Sequence, residues 1–64
     1  MKLTLKAARI NAGFTQQQAA EQLNVSKDTV SNWERGKSYP GVPALKKMEK
    51  VYGVPYDDII FLPA

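Results

Sequence analysis

The stretch TQQQAAEQLNVSKDTVSNWERG, from Thr15 to Gly36, limits what this chain can fold into more than any other. Thr15 with Gln18 three residues on forms a capping box, in which hydroxyl and side-chain amide each take a backbone N–H that a first helical turn leaves without a partner. Ala19, Ala20 and Leu23 then recur at helical spacing and give that helix one small apolar face. Asn24 breaks the pattern, and Asn is the residue after glycine that most readily accepts the left-handed backbone of a sharp turn. Val25 plugs the turn, Ser26 caps a second helix running to Arg35, and Gly36 ends it.

Two helices of about two to three turns joined this tightly cannot lie antiparallel; they cross steeply, as in a helix-turn-helix. Ala20 then has a reason, because a larger side chain would hold the two backbones apart. On a wheel of about 100° per residue, Val30, Trp33 and Glu34 point inward. Asp28, Ser31, Asn32 and Arg35 point outward, with Lys27 and Thr29 on the flanks. The outer face mixes short hydrogen-bonding groups with Lys and Arg. Trp33, facing inward, reads as core and not as a platform on which a base would stack.

This motif resembles the Cro/repressor-type, xenobiotic-response-element-like helix-turn-helix family of phage and bacterial transcription regulators. Gln16, Ala20, Val25, Ser26, Val30, Glu34 and Gly36 each fall where that family has the same residue type. The likeness continues through LKAARINAGFT before the motif and ALKKMEKVYGVPYDDII after it, so it covers nearly the whole chain. Asn24 is a departure, since the family usually has glycine there. The resemblance implies an all-α fold, a compact five-helix lambda-repressor-like DNA-binding domain over residues 1–64 with its motif at about 15–36.

Length and composition agree with a single small domain. Sixty-four residues bury only about 60% of their unfolded surface and leave little room for an enclosed substrate pocket. With no Cys and no His there is no disulfide, thiol nucleophile, imidazole base or ordinary zinc site, and no metal or cofactor is expected. No long apolar run follows Lys2, so neither a signal peptide nor a membrane span is expected, and the expected location is the cytoplasm of a bacterium or phage-infected host. The net charge of +3 is unevenly spread. Residues 1–42 hold Lys2, Lys6, Arg9, Lys27, Arg35 and Lys37 against Glu21, Asp28 and Glu34, whereas residues 43–64 are neutral. The whole excess lies with the motif, which suits a polyanionic partner.

Along the chain, a first helix is predicted from about Thr4 to Ala12, with Gly13 as its stop and Leu5, Ala8 and Ala12 as its apolar stripe. Phe14 fills the corner before Thr15. After Gly36, Pro40 and Gly41 read as a turn and Pro43 as the first residue of a fourth helix, whose inward stripe is Leu45, Met48 and Tyr52 or Val51. Gly53 ends that helix and Val54 returns the chain to the core. Pro55 starts a fifth, with Asp57 and Asp58 near its positive end. Ile59 and Ile60 are expected to close the core. No alternating apolar pattern argues for strands.

The site residues follow from helix geometry and family position. At base edges these are Lys27, Asp28, Thr29, Ser31 and Asn32: Lys27 for guanine O6 or N7, Asn32 for adenine N6 and N7, the Thr29 methyl for thymine. Asp28 can accept from cytosine N4 or serve only the helix dipole. The phosphate contacts expected around them are Thr15, Gln16, Ser26, Arg35, Lys37, Ser38 and Tyr39. The resemblance also implies that Arg9, beside the apolar stripe, pairs with Glu34 as scaffold. The loop Tyr39–Val42 carries no basic residue for a minor groove.

One such helix reads only a few base pairs, and two domains set about 34 Å apart make a specific site. Phe61 and Leu62, in the terminal apolar run, are the candidate contact between two copies; the other reading folds them back over their own core. The expected function is sequence-specific binding of double-stranded operator DNA by a Cro-like regulator or small repressor, as a homodimer at least on DNA, without membrane or small-molecule ligand. The alternative is a protein-interaction module, an antitoxin-like or antirepressor partner. That reading wants exposed Leu, Ile or aromatic anchors on helix 26–35, which has none. An enzyme is the weakest reading, for no nucleophile–base pair is evident.

Overall fold

The computed structural model describes residues 2–61. In chain order they form a short strand β1 (Leu3–Thr4), helices α1 (Leu5–Asn11), α2 (Gln16–Leu23), α3 (Lys27–Arg35) and α4 (Val42–Tyr52), one 3-10 turn (Tyr56–Asp58) and a second strand β2 (Ile59–Ile60).

The helices start and stop for local reasons. Thr4 caps α1, its Oγ1 accepting from the Ala7 amide at 3.1 Å. The capping box of α2 is complete: the Gln18 amide donates to Thr15 Oγ1 at 3.1 Å and the Thr15 amide to Gln18 Oε1 at 2.9 Å. Asn24 turns the chain with φ 60° and ψ 44°, and Ser26 then caps α3 by accepting from the Thr29 amide at 3.1 Å. At the far end of α3, Gly36 takes φ 78°, which lets the Lys37 amide reach back to the Asn32 carbonyl at 2.9 Å. Glycine holds that left-handed backbone without the strain a side chain would add.

The core is Leu5 and Ala8 of α1, Ala19, Ala20 and Leu23 of α2, Val30 and Trp33 of α3, Met48 and Tyr52 of α4, and Ile59. Ala8, Ala19 and Ala20 are at most 1% exposed. Such small side chains suit the packing of α3 against α1 and α2, and Met48, unbranched and adaptable, is fully buried with them.

Five sequence expectations are corrected. The fifth helix is only one 3-10 turn, so among the described residues there are four α-helices. Strands do occur: β1 and β2 pair in parallel, Leu3 opposite Ile59 and Thr4 opposite Ile60. Two residues are too few to show an alternating pattern, but the alternation is present. Ile59 is buried, while Ile60 faces out at 42% exposure and does not close the core. Finally, the loop after α3 bends at Lys37 and Ser38, not at Pro40–Gly41. Pro40 is buried, and Gly41 holds the extended backbone of the α4 cap at φ −74° and ψ 173°. Val42 is therefore the first residue of α4 and Pro43 the second.

Candidate nucleic-acid interface

The interface begins from the buried pair beneath it. Arg9 Nε donates to Glu34 Oε2 at 2.7 Å and Nη2 to Glu34 Oε1 at 3.3 Å, a two-point fork between α1 and α3. Arg9 Nη1 donates to the Phe14 carbonyl at 2.8 Å, fixing the corner into α2. Gln16 completes the network, its Nε2 donating to Glu34 Oε1 at 3.1 Å. Both charged side chains are buried, and no buried side-chain polar atom among the described residues lacks a partner. Forked, charge-assisted bonds of this kind fix orientation as well as proximity.

Tyr52 of α4 packs against the same network. Burial pushes its phenol up from 10.0 to about 12; the Glu34 carboxylate adds to the rise and the Arg9 guanidinium opposes it. Tyr52 is thus neutral at any physiological pH.

The sequence offers Gln16 as a phosphate contact and does not announce its bond to Glu34. The available signal was one of capacity. A carboxylate offers about four acceptor positions and a single guanidinium fork leaves some of them empty. An amide at the start of the adjoining helix is suited to take one.

The same bond sets the start of α2 against the last turn of α3. Gln16, Arg35 and the following Lys37 and Ser38 accordingly gather at the C-terminal end of α3, while Ser26 and Lys27 stand at its other end. Between them runs the outer face. Lys27 and Asp28 are exposed; Thr29, Ser31 and Asn32 are half-buried. Lys27, Asp28 and Ser31 have no side-chain partner among the described residues. Asn32 Oδ1 accepts from Arg35 Nη2 at 3.0 Å, so these two side chains orient each other. The Thr29 hydroxyl lies 2.8 Å from Ser26 Oγ and is occupied at the helix cap. Asp28 sits in the first turn of α3 and Arg35 in the last, each favourable to the helix dipole. Trp33 is buried and faces away from this surface. Tyr39 turns its ring toward Phe61, with centroids 6.3 Å apart.

A tightly joined pair of packed helices, the second offering a polar outer face, is matched by a protein-family model described as "Helix-turn-helix" over residues 5–59. The chain belongs to the helix-turn-helix family. Within it, the chain is 41% identical over 56 residues to the HTH-type transcriptional activator BcrR of Enterococcus faecalis, covering 88% of this chain and 28% of that protein. It is equally identical over the same length to the HTH-type transcriptional regulator ImmR of Bacillus subtilis, covering 44% of that protein. An uncharacterized HTH-type transcriptional regulator of Methanocaldococcus jannaschii is 37% identical over 59 residues, 92% of this chain and 89% of the other. The chain thus spans less than half the length of the first two relatives. Among the described residues of this helix-turn-helix chain, no helix is long and apolar enough to cross a membrane.

Proposed function

We propose that this helix-turn-helix domain is a transcriptional regulator that binds double-stranded DNA, with α3 reading base edges in the major groove. The observation that carries the reading is the outer face of α3: polar, partly cationic, and backed by a buried network that fixes its orientation. The three relatives named above, each termed a transcriptional activator or regulator, support it.

Each side chain has a role suited to its geometry. Lys27, free at the start of α3, donates to guanine. Asn32 keeps its NH₂ group and one lone pair of Oδ1 beyond the Arg35 bond, enough for the bidentate match to adenine N7 and N6. Thr29, its hydroxyl held at the cap, offers its methyl to thymine. Ser31 bonds whichever base edge it faces, and Asp28 accepts from cytosine N4 or stays with the dipole. Arg35, Lys37 and Ser38 take phosphates at one end of α3, together with Tyr39 and with Gln16, whose amide has a second hydrogen to give. Thr15 and Ser26 present their helix starts to the backbone.

Two copies acting together extend the site. Phe61 packs its ring near Tyr39 and Tyr56, at centroid distances of 6.3 and 6.1 Å, and Tyr39, Val42 and Tyr56 are 48–64% exposed around it. Such a patch beyond the C-terminal end of α3 suits a second copy, with the N-terminal halves of the two recognition helices pointing away from the dyad. The domain measures 26 × 25 × 20 Å, so helices on the outward sides are what a half-site spacing of about 34 Å requires. Leu62, the other residue assigned to this contact, lies outside the described residues.

The test is selection of bound duplexes from a random pool, then titration of the winner. The expected result is a two-fold symmetric site at which Asn32→Ala loses about 1–3 kcal/mol of preference at one base position. A pool in which no sequence enriches would sink the reading.

A further inference from the structure

An open groove of about 560 Å³ runs between the C-terminal turn of α2 and one face of α4. Its floor is apolar, made by Leu23, Pro43 and Ala44; its rim carries Lys46, Lys47 and Lys50. No residue of α3 lines it, and none of the residues assigned above to bases or phosphates does.

The three lysines are exposed, and none has an ion pair among the described residues. Lys50 lies four residues from Lys46 and three from Lys47, so the ammonium groups stand side by side on one helix face and repel one another. The one carboxylate of α4 does not relieve this. Glu49 is turned elsewhere, accepting the Tyr56 amide at 2.6 Å. Asp57 and Asp58 lie in the 3-10 turn beyond the helix end. The electrically neutral second half of the chain is therefore segregated, with its positive side gathered over an apolar floor.

That combination selects the occupant. A phosphodiester backbone would satisfy the lysines and leave the floor exposed to water. A protein segment carrying carboxylates about an apolar side chain satisfies both. We infer that this groove docks a short acidic segment of a partner protein, one leucine-like side chain over Leu23 and Ala44, its flanking carboxylates paired with Lys46, Lys47 and Lys50. Because the groove and α3 share no residue, docking is compatible with occupied DNA, and the inference does not depend on the DNA-binding reading.

The test titrates the ¹⁵N-labelled domain with a synthetic peptide in which leucines alternate with pairs of glutamates. Amide shifts centred on Leu23, Asn24, Ala44 and Lys47 are expected. Replacing three exposed charges in K46Q/K47Q/K50Q is expected to weaken binding by about tenfold, and a peptide with serine for leucine is expected not to bind. Absence of binding, shifts centred on α3, or equal binding of the serine peptide would each overturn the inference. So would a duplex titration in which the triple variant loses affinity and its salt slope falls by about 0.9 per lysine removed, for the lysines would then be phosphate contacts.

Discussion

Arg9 and Glu34 are each more than nine-tenths covered, and a charge taken out of water at such a depth is tolerable only beside its counterion. Arg9→Ala or Glu34→Ala strands the other partner, and the expected loss is about 3–5 kcal/mol. A domain of this size has a total stability of roughly 3–10 kcal/mol, so either single variant sits near unfolding. The apolar double variant Arg9→Met/Glu34→Leu is expected to recover most of the loss, because no charge remains without a partner; urea titration of all three decides it. Tyr52 supplies a pH dependence from the same neighbourhood. Its folded pKa of about 12 lies above the ordinary 10.0, so the native state holds the phenolic proton more tightly than the unfolded chain does. The stabilisation is whole below pH 10 and is lost as pH rises toward 12. Denaturation midpoints followed across that window are expected to fall, and the Tyr52-specific part of the fall should vanish in Tyr52→Phe.

At the scale of the elements, β2 offers a contrast between adjacent residues of one type. Ile59→Ala removes a buried side chain and is expected to cost about 2–5 kcal/mol, whereas Ile60→Ala, on the outer face, should cost under about 1 kcal/mol. Equal losses, measured by thermal or urea unfolding, would show that both isoleucines are core. This pair also marks where the sequence stops being legible. Caps and turns are short-range events, so Thr15 with Gln18, Asn24 and Gly36 placed α2, the turn and the end of α3 correctly. The inward set Val30, Trp33 and Glu34 followed from helical period alone. The pairing of β1 with β2 depends on which distant segments come together, and two residues carry no period to announce it. The site divides in the same way. The outward face of α3 could be read from the wheel, but the bond from Gln16 to Glu34 and that from Arg35 to Asn32 are matters of side-chain rotamer, on which spacing is silent.

At the scale of the whole molecule, the aromatic patch about Phe61 gives the assembly its own measurement. Phe61→Ser is expected to lower affinity for a duplex with two half-sites while leaving single half-site binding unchanged, as read by parallel titrations. An equal fall on both duplexes would mean that Phe61 serves only its own fold. The parallel pairing of β1 with β2 has a consequence in time. The contact of α2 with α3 joins neighbours in the chain and closes a small loop, which takes microseconds or less. Leu3 can meet Ile59 only after nearly the entire chain has been drawn together, when the entropy of that closure has already been offset by the helices packed between them. This pairing is therefore expected to form late, and hydrogen exchange should read lower protection at Leu3–Thr4 and Ile59–Ile60 than in α2 and α3.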